Sequence, residues 1–234
     1  MHLIIHNKSD VDLKRIVKSL KGVIFDFDFT LADSSRGVVE CVNYAMNELG
    51  FSKFAEEEIF QTIGLTLEDT FLKLVGENFV GKAEEFKHLF IKRADEVMAN
   101  LTVLFDKTPS VIKKLSERNI KLGIVSTKFR YRIEHILERD NLLEYFNVII
   151  GGEDIPNLKP DPTGLLLAVK YLNLDSTEVI YIGDSVIDAQ TAINAKIPFI
   201  AVLSGVTSKK DFNESRVVRF LNNVAELPRV LFTR

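Results

Sequence analysis

The stretch Val23-Ile24-Phe25-Asp26-Phe27-Asp28-Phe29-Thr30-Leu31, residues 23–31, governs how the rest of the chain is read. After Gly22, three apolar residues form a short run bounded by a turn signal, which predicts a buried strand. Two carboxylates and a hydroxyl follow. In extended chain, positions i and i+2 share a face, so Asp26 and Asp28 are expected to point into one space. Two like charges about 4 Å apart repel by roughly 4 kcal/mol at an effective dielectric of about 20. The pair therefore requires a cation, a proton or both.

Downstream of this turn, residues 34–103 carry helical periodicity without a strand. Val38, Val42, Ala45, Met46 and Leu49 form one stripe before Gly50. A second helix is expected to reach about Ile63 and stop at Gly64. A third starts at Thr66, whose spacing from Asp69 is that of a capping box, and a fourth turns Phe86, Leu89, Phe90, Val97 and Met98 to a common face. From residue 104 the pattern alternates. Helices are predicted from Pro109 to Arg118, Arg130 to Arg139, Pro162 to Leu172 and Asp188 to Ala195. Strands are predicted over Lys121–Ser126, Asn147–Gly151, Val179–Gly183 and Pro198–Leu203. Such alternation gives a parallel sheet covered by helices on both faces.

The fold class is thus α/β, a Rossmann-like parallel sheet in three α/β/α layers with an inserted all-helical domain. The core is expected over residues 21–33 and 104–234, and the insert over residues 34–103. Residues 1–20 are expected to form an extension in which Leu13, Ile16, Val17 and Leu20 at helical spacing mark an amphipathic helix docked on the body, with a frayed segment as the alternative. The tail from Ser215 to Leu231 is read as one or two further helices.

Composition narrows the function. The 234 residues include 46% hydrophobic ones, enough for a sizeable core, and a net charge of −3 with no long basic block, which argues against a nucleic-acid partner. The single cysteine, Cys41, excludes an intrachain disulfide and fits a reducing compartment. The start Met1-His2-Leu3-Ile4-Ile5-His6 lacks the pattern of a secretory signal, and no apolar run reaches the roughly 18 residues of a membrane span. A cytoplasmic protein with no membrane partner, monomeric or homodimeric, is expected. His2, His6, His88 and His135 fall on no motif.

In open parallel sheets, ligands bind beyond the carboxyl ends of the strands. The first strand ends in Asp26 and Asp28, the second in Ser126 and Thr127 with Lys128 next. Lys159-Pro160-Asp161-Pro162 follows the third, and Gly183-Asp184-Ser185-Val186-Ile187-Asp188 closes the fourth. Asp26 and Asp184 are hard oxygen ligands suited to Mg²⁺. A free oxygen of Asp26 could attack a phosphorus atom, and Asp28 could supply and then recover a proton. Ser126 and the amides opening the next helix would hold phosphate oxygens, with Thr127 beside them, and Lys159 would bring positive charge. Thr30 is a further candidate phosphate contact. Asp188 also has capping-box spacing from Ser185, Asp161 reads as a helix cap, and Lys128 and Arg130 either reach a substrate's leaving group or, the commoner case, are solvated charges.

These four motifs, Asp26-Phe27-Asp28-Phe29-Thr30, Ser126 after an apolar strand, Lys159 before Pro160, and Gly183 to Asp188, resemble in order and spacing the phosphatases of the haloacid dehalogenase superfamily. The resemblance covers nearly everything from Gly22 onward, and is nearest to the branch of phosphoglycolate phosphatases. It implies Asp26 as nucleophile, Asp28 as acid/base with its backbone carbonyl on Mg²⁺, Asp184 as metal ligand, Asp188 as support of the metal site, and Ser126 and Lys159 as phosphate contacts. It also implies that the insert is a helical cap, with Gly64-Leu65-Thr66 reaching over the site and hinges near Ala32-Asp33 and Leu104-Phe105. Position 29 is often glycine in this family. Phe29 is expected to add bulk beside the acid/base.

The function expected is a Mg²⁺-dependent phosphatase acting on a small phosphorylated metabolite through an aspartyl-phosphate. A pyrophosphatase and a phosphomutase of the beta-phosphoglucomutase kind share this chemistry, and a phosphate-binding module without turnover is the alternative of another class. The Gly64-Leu65-Thr66 loop carries no Arg or Lys, so it offers no partner to the carboxylate of phosphoglycolate.

Overall fold

The computed structural model describes residues 8–213 and 216–232; residues 1–7, with His2 and His6, lie outside them. Six strands form one parallel sheet: β1 (Gly22–Phe25), β4 (Lys121–Val125), β5 (Val148–Ile150), β6 (Val179–Gly183), β7 (Phe199–Val202) and β8 (Arg219–Leu221). Their spatial order is β5-β4-β1-β6-β7-β8. Two-residue strands β2 (Ala32–Asp33) and β3 (Val103–Leu104) pair antiparallel where the chain leaves and rejoins the sheet.

Side-chain alternation divides the core into two layers. Val23, Phe25, Leu122, Ile124, Ile180, Ile182, Ile200 and Val202 face one side of the sheet. Ile24, Val125, Tyr181, Phe199 and Ala201 face the other. Helices α6 (Thr108–Ser116) and α7 (Arg130–Arg139) cover the first face, together with α1 (Lys8–Ser19) and α10 (Leu227–Phe232); α8 (Thr163–Leu172) and α9 (Val186–Ala195) cover the second. Burial on both faces explains why the strands read as continuous apolar runs. Leu13 and Ile16 of α1 are buried in the first of these layers.

Between β2 and β3 lie α2 (Ser35–Glu48), α3 (Glu56–Phe60), α4 (Leu67–Val75) and α5 (Ala83–Leu101), which share a third cluster around Met46, Phe71, Phe86 and Met98. Thr66 caps α4 by accepting from the Asp69 backbone N–H at 3.0 Å. The tail departs from expectation. Where helix was read, the segment Val217-Val218-Arg219-Phe220-Leu221 contributes β8 to the sheet edge, a choice consistent with its β-branched and aromatic content. Among the described residues no helix is long and apolar enough to cross a membrane.

Candidate active site

The strand order turns at β1. The chain moves from β1 to β4 and β5 on one side, then returns to β6 on the other, so the crevice beyond the β1 carboxyl end is the topological switch point. Asp26 follows β1, Ser126 follows β4 and Asp184 follows β6. Lys159, from the loop after β5, is buried and reaches into this crevice with Nζ 2.9 Å from Asp26 Oδ1 and 2.6 Å from Asp188 Oδ1.

Asp26, Asp184 and Asp188 bring carboxylate oxygens within 4.8 Å of one another, all buried. Burial raises the Asp26 carboxyl to about 6 against the pull of Lys159, with Asp188 and Asp28 adding to the rise. Burial likewise pushes Asp184 well above the usual carboxylate range, reinforced by the charges of Asp188 and Asp26. For Lys159, burial acts downward, but Asp188 and Asp26 prevail and hold it firmly protonated. Three acids against one ammonium leave the cluster short of positive charge, which a hard cation with oxygen ligands supplies. Among the described residues, no donor meets Oδ2 of Asp26 or of Asp184, while their Oδ1 atoms take Lys159 and Thr30. These two oxygens fit Mg²⁺ as ligands.

Asp188 is already engaged at both oxygens. Oδ1 accepts from Lys159 and from the Tyr181 hydroxyl at 2.8 Å, and Oδ2 accepts from the Ser185 hydroxyl at 2.6 Å and its backbone N–H at 3.2 Å. The capping box and the support of the charged cluster are therefore the work of one carboxylate. Gly183 admits it, because a Cβ there would stand 2.5 Å from Asp188 Cγ. Gly205 does the same for Asp184, whose Oδ2 would lie 1.9 Å from a Cβ.

Thr30, anticipated as a phosphate contact, has another task. It is fully buried and donates its hydroxyl to Asp184 Oδ1 at 3.1 Å, orienting a carboxylate. Ser126 is buried at its strand end and its Oγ accepts from the Lys128 backbone N–H at 3.4 Å; Thr127 is half-buried and lines the space above. Asp161 caps α8 by accepting from the Thr163 backbone N–H at 2.9 Å.

Asp28 stands apart from the three clustered acids. Its Oδ1 lies 3.1 Å from Nζ of Lys128, off the direction of a hydrogen bond, so the contact is an ion pair between nearly buried groups. The first motif thus has two counter-charges, Lys159 for Asp26 and Lys128 for Asp28. Reading Lys128 as a solvated charge is corrected here; the side chain is only 5% exposed because the turn into α7 folds it inward over Asp28. Arg130 keeps its surface role beside Asp154 and Glu134, and His88 and His135 are exposed. Tyr181 was also missed by sequence reasoning. Its signal was a lone hydroxyl inside an apolar strand, which must find a buried partner.

Phe29 occupies the left-handed region, with φ 58°. This is why glycine suits the position. Its ring is packed away at 8% exposure and does not line the chamber above the site, so the expected narrowing beside Asp28 is not seen. That chamber, about 440 Å³, lies between Asp28, Thr127 and Lys128 below and the helical insert above, where Gly64, Leu65 and Thr66 form part of the roof.

Comparison with known proteins identifies the family. The sequence profile of the haloacid dehalogenase-like hydrolases matches residues 23–202. A phosphoglycolate phosphatase of Salmonella typhi is 31% identical over 210 residues, 81% of this chain and 83% of its own length. One from Escherichia coli O157:H7 is 28% identical over 209 residues, with 80% and 83% covered. The crystal structure of a Bacteroides fragilis protein described as haloacid dehalogenase-like superposes with TM-score 0.85 at 40% identity, covering 89% of this chain and 99% of its own. A Streptococcus pneumoniae relative shares the fold at TM-score 0.82 and 21% identity, over 91% and 98% of the two chains. The chain therefore belongs to the haloacid dehalogenase-like hydrolase family, as a hydrolase of the phosphatase type.

Proposed function

We propose that the chain is a Mg²⁺-dependent phosphatase hydrolysing a small phosphorylated metabolite through an aspartyl-phosphate on Asp26, in the manner of the phosphoglycolate phosphatases it resembles, and acting in the cytoplasm. The observation that carries this reading is the cluster at the switch point, where Asp26 presents one oxygen to Lys159 and keeps the other free. Bound between Asp26, Asp184 and the Asp28 backbone carbonyl, Mg²⁺ would neutralise the phosphate and the acids.

Asp26 Oδ attacks phosphorus, and the bond from phosphorus to the leaving oxygen breaks. Asp28 gives that oxygen a proton, so the alcohol departs neutral. In the second half, Asp28 takes a proton from water as the water oxygen bonds to phosphorus. The bond from phosphorus to Asp26 then breaks, restoring the carboxylate and releasing inorganic phosphate. Lys159 and Ser126 hold phosphoryl oxygens, with Thr127 beside them, and Asp188 fixes Lys159 through the 2.6 Å contact.

Residues 34–103 act as a cap that excludes water, hinged where Ala32-Asp33 pairs with Val103-Leu104. Replacing Asp26 with Asn should abolish hydrolysis of 4-nitrophenyl phosphate with Mg²⁺ present. Undiminished turnover in Asp26→Asn would sink the reading.

A further inference from the structure

The chamber beneath the insert shows what kind of leaving group it suits. At about 440 Å³ it falls in the range of clefts that bury a drug-sized ligand. A two-carbon glycolate would leave most of it unfilled. Its walls are largely apolar: Val38, Ile63, Leu65, Phe90, Met98 and Leu158 supply much of the lining.

Its charges cancel. Lys87, Lys128 and Arg132 face the chamber, and so do Asp28, Glu68 and Glu84, three of each sign. Each cation also has an acidic neighbour. Lys128 pairs with Asp28 at 3.1 Å, Arg132 with Asp95 at 2.7 Å and Lys87 with Glu84 at 3.4 Å. A second anionic group on a substrate would have to give up water and compete with an acidic neighbour for each cation, and burying such a charge costs several kcal/mol. A neutral group avoids that cost and gains from each apolar surface it covers.

We propose that this chamber selects phosphomonoesters of a neutral, apolar, ring-sized alcohol over those whose alcohol carries a carboxylate or second phosphate. The inference rests on the phosphatase reading of the site below it. The reaction is unchanged: phosphomonoester and water give the alcohol and inorganic phosphate.

The test compares benzyl phosphate, propyl phosphate and 2-phosphoglycolate with the full chain and Mg²⁺. All three release a primary alcohol, so the comparison weighs the chamber more than the bond broken. Benzyl phosphate should exceed 2-phosphoglycolate in kcat/KM by at least about tenfold, with propyl phosphate between them. The variant Val38→Phe, which fills the chamber, should lower the ratio of benzyl to propyl kcat/KM by at least about fivefold. An advantage over 2-phosphoglycolate smaller than this, or a ratio unmoved by Val38→Phe, overturns the inference while leaving the phosphatase reading intact if 4-nitrophenyl phosphate is hydrolysed. No turnover of any of the four esters overturns both.

Discussion

The crevice beyond the sheet and the chamber above it lie next to each other yet follow opposite electrostatic rules. In the crevice, three buried carboxylates gather around one lysine, and burial holds Asp26 and Asp184 above their ordinary range. In the chamber, three cations and three acids cancel, and most of the wall is apolar. In the proposed reaction stored charge would serve bond breaking, because groups fixed before the reaction need not reorganise during it. A neutral apolar space serves selection, because it rewards shape and penalises unpaired charge. Asp28 stands at the border, paired with Lys128 and open to the chamber.

The largest way to break this contrast is to remove the proposed nucleophile. Asp26→Asn should lower kcat by at least about 10⁴-fold, the scale of losing a covalent nucleophile, whereas no single change among the apolar residues of the chamber wall should approach that. Next comes the cation. Lys159→Met leaves Asp26 and Asp188 without their shared partner, and should destabilise the metal-free protein by about 3–5 kcal/mol in denaturant unfolding. Loss of under about 1 kcal/mol would mean that the acids share a proton instead.

The acid cluster also fixes a pH dependence. The folded Asp26 carboxyl is raised to about 6, above its unfolded value, so its contribution to stability is full below the unfolded value and is lost as pH rises through 6. Between pH 4 and pH 7.5 the metal-free protein should lose about 2–2.5 kcal/mol from this group. Mg²⁺ should restore it, so calorimetry should find the Mg²⁺-induced rise in Tm larger at pH 7.5 than at pH 5. Tyr181→Phe takes one donor from Asp188 and should cost about 1.5–3 kcal/mol. The smallest effect lies above the site. Asp95→Asn weakens the pairing of Arg132, whose partner carboxylate is 48% exposed, and should change stability by less than about 1 kcal/mol while altering KM more than kcat.

The crevice was legible in the sequence because Asp26, Ser126 and Asp184 each follow an apolar run that reads as a buried strand, and parallel strands bring their carboxyl ends to one edge. The chamber was less legible. Lys128 is an ordinary loop lysine until the turn into α7 folds it over Asp28, and Arg132 reaches the chamber only because α7 packs against α5, where Asp95 and the Ile91 carbonyl hold it. Thr30 looked like a phosphate contact because a hydroxyl beside two acids suits an anion, and only the approach of β6 shows Asp184 claiming it. The strand in the tail was hidden by its length; three residues give too short a period to distinguish from helix.

The central claim is a covalent phosphoryl group on Asp26. Rapid acid quench during steady turnover of 4-nitrophenyl phosphate with Mg²⁺, followed by borohydride reduction and peptide mapping, reads it directly. The account predicts homoserine at position 26 and at no other aspartate. Steady turnover with position 26 unmodified, or with the label at Asp28, Asp184 or Asp188, would contradict it.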